Sequence, residues 1–246
     1  MTPDNRKVAV FGGNGFVGVR VLERLAGKGI DCICISRTGE VPVHLRKSEP
    51  SWVDTVDWVK GDASRPDVSL LGQAGVVITL VGSPPVPTFT KEAKKQQVFM
   101  NGDTNVGAIE GAALAGVKRV VLLGAYMPKL LQTSRFGYYV GKQKAFEAAR
   151  QFALLSAEHS AVVLRPTAIY GTRYTAKGRP IALDPLMGPV AKIQLSLPRF
   201  VRNRLPKTLV SVDQVATVLA NAAISPPQNN EPFTIIENEQ ILTGHH

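Results

Sequence analysis

Tyr138 and Lys142 stand four residues apart in the stretch Tyr138-Tyr139-Val140-Gly141-Lys142. On a helix this spacing puts both side chains on one face, one turn apart. An ammonium close to a phenol favours phenolate, so the pair has the chemistry needed to move a proton. The plain alternative is two ordinary residues on a helix surface. Which of the two holds depends on the elements that carry the pair.

A second stretch with chemical potential lies near the start of the chain. Lys7 to Phe11 reads KVAVF, a short β-branched run, and Gly12-Gly13-Asn14-Gly15-Phe16-Val17-Gly18 follows it directly. Helical spacing then runs through Val17, Val21, Leu22 and Leu25, so the order is strand, tight turn, helix. In that setting Gly12 permits the turn, Gly15 lets the backbone approach a pyrophosphate, and Gly18 allows close packing of the helix. The helix N-terminus favours the negative charge. A dinucleotide is the ligand this loop predicts. In domains that prefer NAD, an acidic residue ends the second strand and takes the ribose hydroxyls. Here Ser36-Arg37 occupies that place. The planar fork of an arginine suits a 2′-phosphate, so NADP(H) is favoured, with NAD(H) as the other possibility.

The elements that must hold these residues follow from the same patterning. Gly27 and Gly29 end the first helix, and Ile30 to Ser36 supplies a second strand. Further β-like runs stand at 56–60, 76–81, 119–123, 161–165 and 233–236, with helical stretches at 91–115, 142–157 and 212–223. Ser211 is placed to cap the last of these. Strands alternating with helices predict an α/β fold, a doubly wound parallel sheet of Rossmann type covered on both faces. Residues 172–207 break the rhythm with Pro180, Pro185, Pro189, Pro198 and Pro206. They read as a small proline-rich C-terminal lobe for substrate or partner, inserted in a single domain spanning 1–246.

Composition narrows the rest. Of 246 residues, 44% are hydrophobic and 20% charged, the balance of an ordinary globular chain. The formal net charge of +10 should draw anionic partners. The basic residues form no long run, and neither zinc-finger spacing nor an aromatic RNA-binding signature is present, so nucleic acid is not an expected partner. Cys32 and Cys34 share one strand face and read as reduced core thiols. His44 and His159 have no spaced partners for a metal site or a Ser-His-Asp triad. The uncharged stretch from Val68 to Thr90 is long enough to raise the question of a membrane span, yet Pro84, Pro85 and Pro87 make it a buried strand and a loop. The first strand is expected at Lys7, which leaves no room for a presequence in the chain as given.

With these residues in hand, the chain resembles the extended and atypical short-chain dehydrogenase/reductase superfamily over nearly its whole length. The resemblance rests on the glycine loop, on Gly61-Asp62 after the third strand, on Val81-Gly82 beside the fourth, and on YxxxK. It rests also on Leu164-Arg165-Pro166 followed by Tyr170-Gly171, and on Val212-Asp213 with Val215-Ala216. It implies that Asp62, Ala63, Val81, Gly82, Lys142 and Pro166 join the glycine loop, Ser36 and Arg37 in holding the nucleotide. It also implies that Tyr138 is the general acid/base and that Lys142 lowers its pKa while holding the nicotinamide ribose. One departure stands out. Active members end the fifth strand with a Ser or Thr that hydrogen-bonds the substrate oxygen, whereas this chain reads Leu123-Gly124-Ala125-Tyr126. Tyr126, Thr133 and Ser134 are the nearby hydroxyls that would have to replace it.

Ser36-Arg37-Thr38-Gly39, the Trp52, Trp58 and Gly61-Asp62 spacing, and Gly137 to Lys142 look most like a narrower group. It contains plant and algal organellar NAD(P)-binding proteins and the fungal oxidoreductase-like coenzyme Q biosynthesis protein. A nucleotide-binding accessory subunit of respiratory complex I is a more distant relative. This likeness implies an organelle and a quinone-rich membrane, with the periphery of the mitochondrial inner membrane first and a plastid as the alternative. Two functions follow: an NADP(H)-dependent oxidoreductase, or a non-catalytic nucleotide-binding subunit of a membrane-associated assembly. Residues 185–207 mix apolar and basic side chains and would meet an anionic membrane surface or a protein complex.

Overall fold

The structure is a computed structural model that describes residues 7–182, 209–225 and 231–244. Its main sheet has seven strands: β1 (Lys7–Phe11), β2 (Cys32–Ser36), β3 (Val56–Lys60), β4 (Ala74–Thr79), β5 (Arg119–Leu123), β6 (Ser160–Arg165) and a late strand, Phe233–Glu237. The spatial order is late strand, β6, β5, β4, β1, β2, β3, and every pairing is parallel. The direction of winding therefore reverses between β1 and β4, which is where open α/β sheets bind ligands. The α/β reading with a doubly wound parallel sheet is correct.

Burial on both faces explains why the strands read as unbroken apolar runs rather than alternating ones. All five residues of β2, CICIS, are buried. Val8, Val10, Cys32, Cys34, Val76 and Ile78 pack on one side, with α1 (Phe16–Ala26). The late helix Val212–Ile224 packs on that same side. Ala9, Phe11, Ile33, Ile35, Val77, Val120 and Leu122 face the other layer. That layer contains the helix at Thr104–Leu114 and the helix at Gly137–Ala153. Cys32 and Cys34 are buried free thiols on one face, as their spacing predicts.

The remaining elements, in chain order, are α2 (Val43–Ser48), a 3-10 turn at Ser51–Thr55, α3 (Val68–Leu71), α4 (Lys91–Val98), α5 (Thr104–Leu114) and α6 (Gly137–Ala153). After β6 come short strands β7 (Ile169–Tyr170), β8 (Thr172–Tyr174), β9 (Pro180–Ala182) and β10 (Val210–Ser211), then α7 (Val212–Ile224), the late strand as β11 (Phe233–Glu237), and α8 (Asn238–Thr243). Ser211 caps α7 in a capping box with Gln214. Val68 to Thr90 is α3, β4 and a loop, and no helix among the described residues is long and apolar enough to cross a membrane.

Several boundaries differ from the sequence reading. β2 begins at Cys32 instead of Ile30, since Asp31 is exposed. β4 runs 74–79 and stops short of Val81, so Val81-Gly82 lie in the loop past its end. The helix expected at 142–157 is α6, Gly137–Ala153. Its first turn carries two small residues, Gly137 and Gly141, which look like breakers in the sequence but are packing contacts here. The helix expected at 91–115 is α4 and α5 joined by a π-helical turn at Phe99–Asp103. Within the expected proline-rich lobe, the described part is the antiparallel β8–β9 hairpin, and 185–207 lies outside the described residues.

Candidate nucleotide-binding site

The glycine loop leaves β1 with Gly12 at φ +76°, a conformation that L side chains rarely adopt. Gly12 donates its N–H to the Ile35 carbonyl at 3.1 Å, and Gly15 returns an N–H to the Gly12 carbonyl at 3.0 Å. A methyl on Gly18 would fall 2.3 Å from the Gly12 oxygen, so the first turn of α1 lies against the loop only because Gly18 has no side chain. Gly15 is the N-cap of α1, with no capping side chain and no acidic residue in the first turn. Those first amides are thus left for an external anion. The structure bears out the tight turn at Gly12 and the close helix packing at Gly18.

Two further edges continue the crevice. Beside β2, Ser36 Oγ accepts the Gly39 N–H at 3.1 Å, and Gly39 sits at φ +67°, where a β-carbon would fall 2.5 Å from Lys60 N. This turn leaves Arg37 exposed at the strand end, with no ion pair among the described residues. Past β3, Asp62 Oδ1 accepts from Ser64 N at 2.9 Å and Ser64 Oγ at 2.8 Å. The Ser64 amide and hydroxyl, with Arg65 and Arg37 beyond them, hold the Asp62 carboxyl below its ordinary value. Ala63 beside it is buried. At the switch point, the Leu80 N–H bonds the Phe11 carbonyl at 3.0 Å, which sets Leu80 and Val81 against Gly12, while Gly82 faces Asn101 and Lys142.

Lys142 reaches the crevice from α6. Its Nζ lies 3.7 Å from where a Gly82 β-carbon would be, and it donates to the Leu123 carbonyl at 2.7 Å. Gly141 and Gly102 make that reach possible: a methyl on Gly102 would meet the Gly141 α-carbon at 2.9 Å, so the π turn and α6 touch backbone to backbone. Tyr138 sits one turn earlier with Lys142 Nζ 5.9 Å from its ring centroid. Here the structure corrects an expectation. Burial pushes the Tyr138 phenol up to about 12 and pulls the Lys142 ammonium down to about 8. At that separation, and with Lys142 aimed at a carbonyl, desolvation outweighs the attraction that was to lower the tyrosine.

The sequence reading missed a polar ladder that runs from α4 through the π turn into α5. Gln97, Asn101 and Asn105, spaced by four, are buried. Asn105 donates to the Val81 carbonyl at 3.0 Å and accepts from Thr79 Oγ1 at 2.6 Å. Asn101 accepts the Ser83 N–H at 3.1 Å and donates to Ser83 Oγ at 2.8 Å. Gln97 donates to the Pro84 and Val86 carbonyls and accepts the Tyr138 N–H at 2.9 Å. The loop from Val81 to Val86 is therefore fixed to the helix that carries Tyr138. Three amides at i, i+4 and i+8, the first of them the one buried residue of an otherwise solvent-facing α4, were the available signal.

Beside Gly124 and Ala125 a cleft of about 190 Å³ opens, with Lys142 and Arg165 on its wall. Gln132, Tyr139 and Gln143 line it; Tyr126, Thr133 and Ser134 do not. A β-carbon on Gly124 would lie 2.8 Å from the Leu164 carbonyl oxygen, so a serine there does not fit this backbone. The Pro166 carbonyl accepts the Tyr126 N–H at 2.7 Å, which ties the segment after β5 to the one after β6.

The profile of the NAD dependent epimerase/dehydratase family matches residues 8–184, from β1 past the β8–β9 hairpin. The chain belongs to this family. Among curated relatives, an uncharacterized chloroplastic protein of Arabidopsis thaliana is 34% identical over 251 residues, covering 96% of this chain and 76% of that protein. MIOREX complex component 2 of Saccharomyces cerevisiae is 33% identical over 78 residues, 31% of this chain and 28% of that one. Among solved structures, the UDP-N-acetylglucosamine 4-epimerase of Methanobrevibacter ruminantium superposes with a TM-score of 0.67 at 15% identity, covering 96% of this chain and 76% of that one. MoeE5 in complex with UDP-glucose and NAD gives 0.64 at 18%, covering 94% and 75%. An oxidoreductase of the short-chain dehydrogenase/reductase family from Burkholderia thailandensis gives 0.64 at 14%, covering 97% and 93%. Identities this low carry the fold alone. This member of the epimerase/dehydratase family keeps the uncapped, glycine-lined crevice that suits the dinucleotide its family name specifies.

Proposed function

We propose that this protein is an NADP(H)-binding, oxidoreductase-like member of its family. The observation that carries the reading is Arg37, exposed at the end of β2 beside the glycine loop, where a carboxylate would favour NAD. In this reading the α1 N-terminus holds the pyrophosphate, Asp62 and Ala63 flank the adenine, and Arg37 pairs with the 2′-phosphate. Lys142 meets the nicotinamide ribose. Bound NADP(H) supplies or accepts a hydride, and Tyr138 holds the proton that accompanies it. Because burial keeps Tyr138 protonated well past neutrality, the side chain serves as a proton donor, the direction required for reduction of a carbonyl or quinone.

The absence of a strand-end hydroxyl at Gly124-Ala125 favours a second reading, in which the nucleotide is a structural ligand of an accessory subunit. Losing an oxyanion-type donor costs about 10²–10³ in rate. The name of the chloroplastic relative supports an organellar setting, and favours a plastid over the periphery of the mitochondrial inner membrane.

Titration of NADP⁺ and NAD⁺ tests the cofactor. We expect NADP⁺ to bind about tenfold or more tightly, and Arg37→Ala to narrow the gap; equal affinities in the unaltered protein would refute the reading. A screen of carbonyl and quinone substrates for NADPH oxidation separates the two functions. Turnover abolished in Tyr138→Phe with binding intact establishes the enzyme. Clear binding without turnover counts against the enzyme. Lys142→Ala should weaken binding in either case, since a ribose contact acts in the ground state.

A further inference from the structure

A cleft of about 390 Å³ lies on the outer flank of α1, between that helix, α2, the 3-10 turn and β8. It meets the nucleotide crevice only at the glycine loop, through Asn14 to Phe16. Ser36, Arg37, Asp62, Gly82 and Lys142 are not on its wall. An occupant would therefore be a neighbour of a bound dinucleotide, in a place of its own.

The wall is chemically specific. The rings of His44 and Tyr174 stack with centroids 3.8 Å apart and planes within 1°. The Arg173 guanidinium stands 5.2 Å from the centre of the Phe16 ring. Trp52 adds a partly buried indole to the lining. Of the two arginines, Arg20 is already matched, hydrogen-bonded to Glu23 at 2.9 Å and 4.0 Å from Asp213. Arg173 has no carboxylate partner among the described residues, so it is the cation left for a ligand. Burial and the nearby Arg20 hold His44 below its ordinary value, which keeps its ring neutral beside the tyrosine.

The cleft is also built in advance. The β8–β9 hairpin closes on itself through Thr175 and Arg179, with N–H to carbonyl at 2.9 Å. Its turn residue Gly178, at φ +76°, rests on α2 so closely that a β-carbon would lie 2.9 Å from Val43 Cγ1. A preformed hollow of this size, with aromatic walls and a few convergent polar groups, has the make-up of a small-molecule site. We propose that it binds a small planar anion, an aromatic ring carrying a carboxylate, sulfonate or phosphate. The ring lies against the His44 and Tyr174 pair and the anionic group meets Arg173.

Naphthalene-1-sulfonate is a suitable probe, titrated calorimetrically into the full chain with and without saturating NADP⁺. We expect one site per chain under both conditions. Arg173→Ala should weaken the probe about tenfold, Arg173→Lys should restore most of the affinity, and Tyr174→Leu should weaken it independently. NADP⁺ affinity should be the same in the Arg173 variants as in the unaltered protein, which separates this site from the cofactor reading. Loss of the probe site on adding NADP⁺ would overturn the proposal, because the cleft would then be the rim of the cofactor site. Unchanged binding in both Arg173→Ala and Tyr174→Leu, or no binding at all, would overturn it as well.

Discussion

Gly141→Ala puts the helix crossing beneath the site to a direct test, because two effects of opposite sign compete there. Alanine is worth about 1 kcal/mol over glycine in a helix interior, so open space would make the substitution stabilising. The space is not open. The new methyl would lie 2.9 Å from Asn101 Cβ, 3.0 Å from Gly102 N and 3.0 Å from the Val98 oxygen, against ordinary contacts of 3.4–4 Å. Two of those atoms are backbone and the third is a β-carbon, so none can swing aside. Overpacking of this kind costs about 1–3 kcal/mol, which exceeds the helical gain over most of its range. The net loss is at most about 2 kcal/mol, a fall in Tm of no more than roughly 4–8 °C for a chain of this length. α6 relieves the clash by moving off the π turn, and Lys142, the next residue, is drawn from the Leu123 carbonyl it now meets at 2.7 Å. NADP⁺ affinity should fall about tenfold, the worth of one charge-assisted contact. Thermal melts and a nucleotide titration of the same preparation measure both effects. A higher Tm with unchanged affinity would show that propensity wins and that the crossing is looser than described.

Gln97→Leu strands the Tyr138 N–H and the Pro84 and Val86 carbonyls; the expected loss is about 1–3 kcal/mol per unpaired buried group, read as a lower denaturant midpoint, and an unchanged midpoint would sink the ladder argument. Lys142 titrates at about 8 in the folded protein against an ordinary 10.5. The unfolded chain therefore binds the extra proton between those values, and stability is lowest below pH 8 and rises from there toward 10.5. Lys142→Met should flatten that rise in urea melts, and an identical slope in the variant would assign it to other groups. If the ammonium form of Lys142 holds the ribose, NADP⁺ affinity should be level at neutral pH and decline above about 8; the Lys142→Met protein should show weaker and pH-independent binding.

The sheet was legible because strands buried on both faces leave long apolar runs, and KVAVF, CICIS and RVVLL admit little else. The glycine loop was legible because Gly12 and Gly18 answer steric demands that a side chain would violate. The start of α6 was not, since Gly137 and Gly141 have the same composition whether they end a helix or let two helices touch. The Tyr138 and Lys142 spacing was correctly placed on one helix, but spacing carries no information about desolvation, and burial reversed the expected shift. Gln97 and Asn101 escaped notice because most of their partners, the Ser83 and Tyr138 amides and the Pro84 and Val86 carbonyls, are backbone groups that no side-chain pattern announces. The hollow under Arg173 and Tyr174 was illegible for a similar reason. It joins α1 to a hairpin more than 140 positions further along the chain.

Cys34 gives the glycine loop a built-in clock. Its sulfur is fully buried beneath Gly13, where a methyl would come within 2.7 Å of it, and burial raises the thiol to about 12 despite the Gly13 and Asn14 amides that face it. A thiol so held is inert to alkylating reagents until the loop lifts. The rate at which Cys34 is trapped, followed in a Cys32→Ala background, thus times the opening of the loop itself. A dinucleotide lying across the loop should slow that clock by the factor one plus its concentration over Kd. Mass spectrometry of a single sulfur then yields nucleotide affinity without any substrate, chromophore or assumption about catalysis.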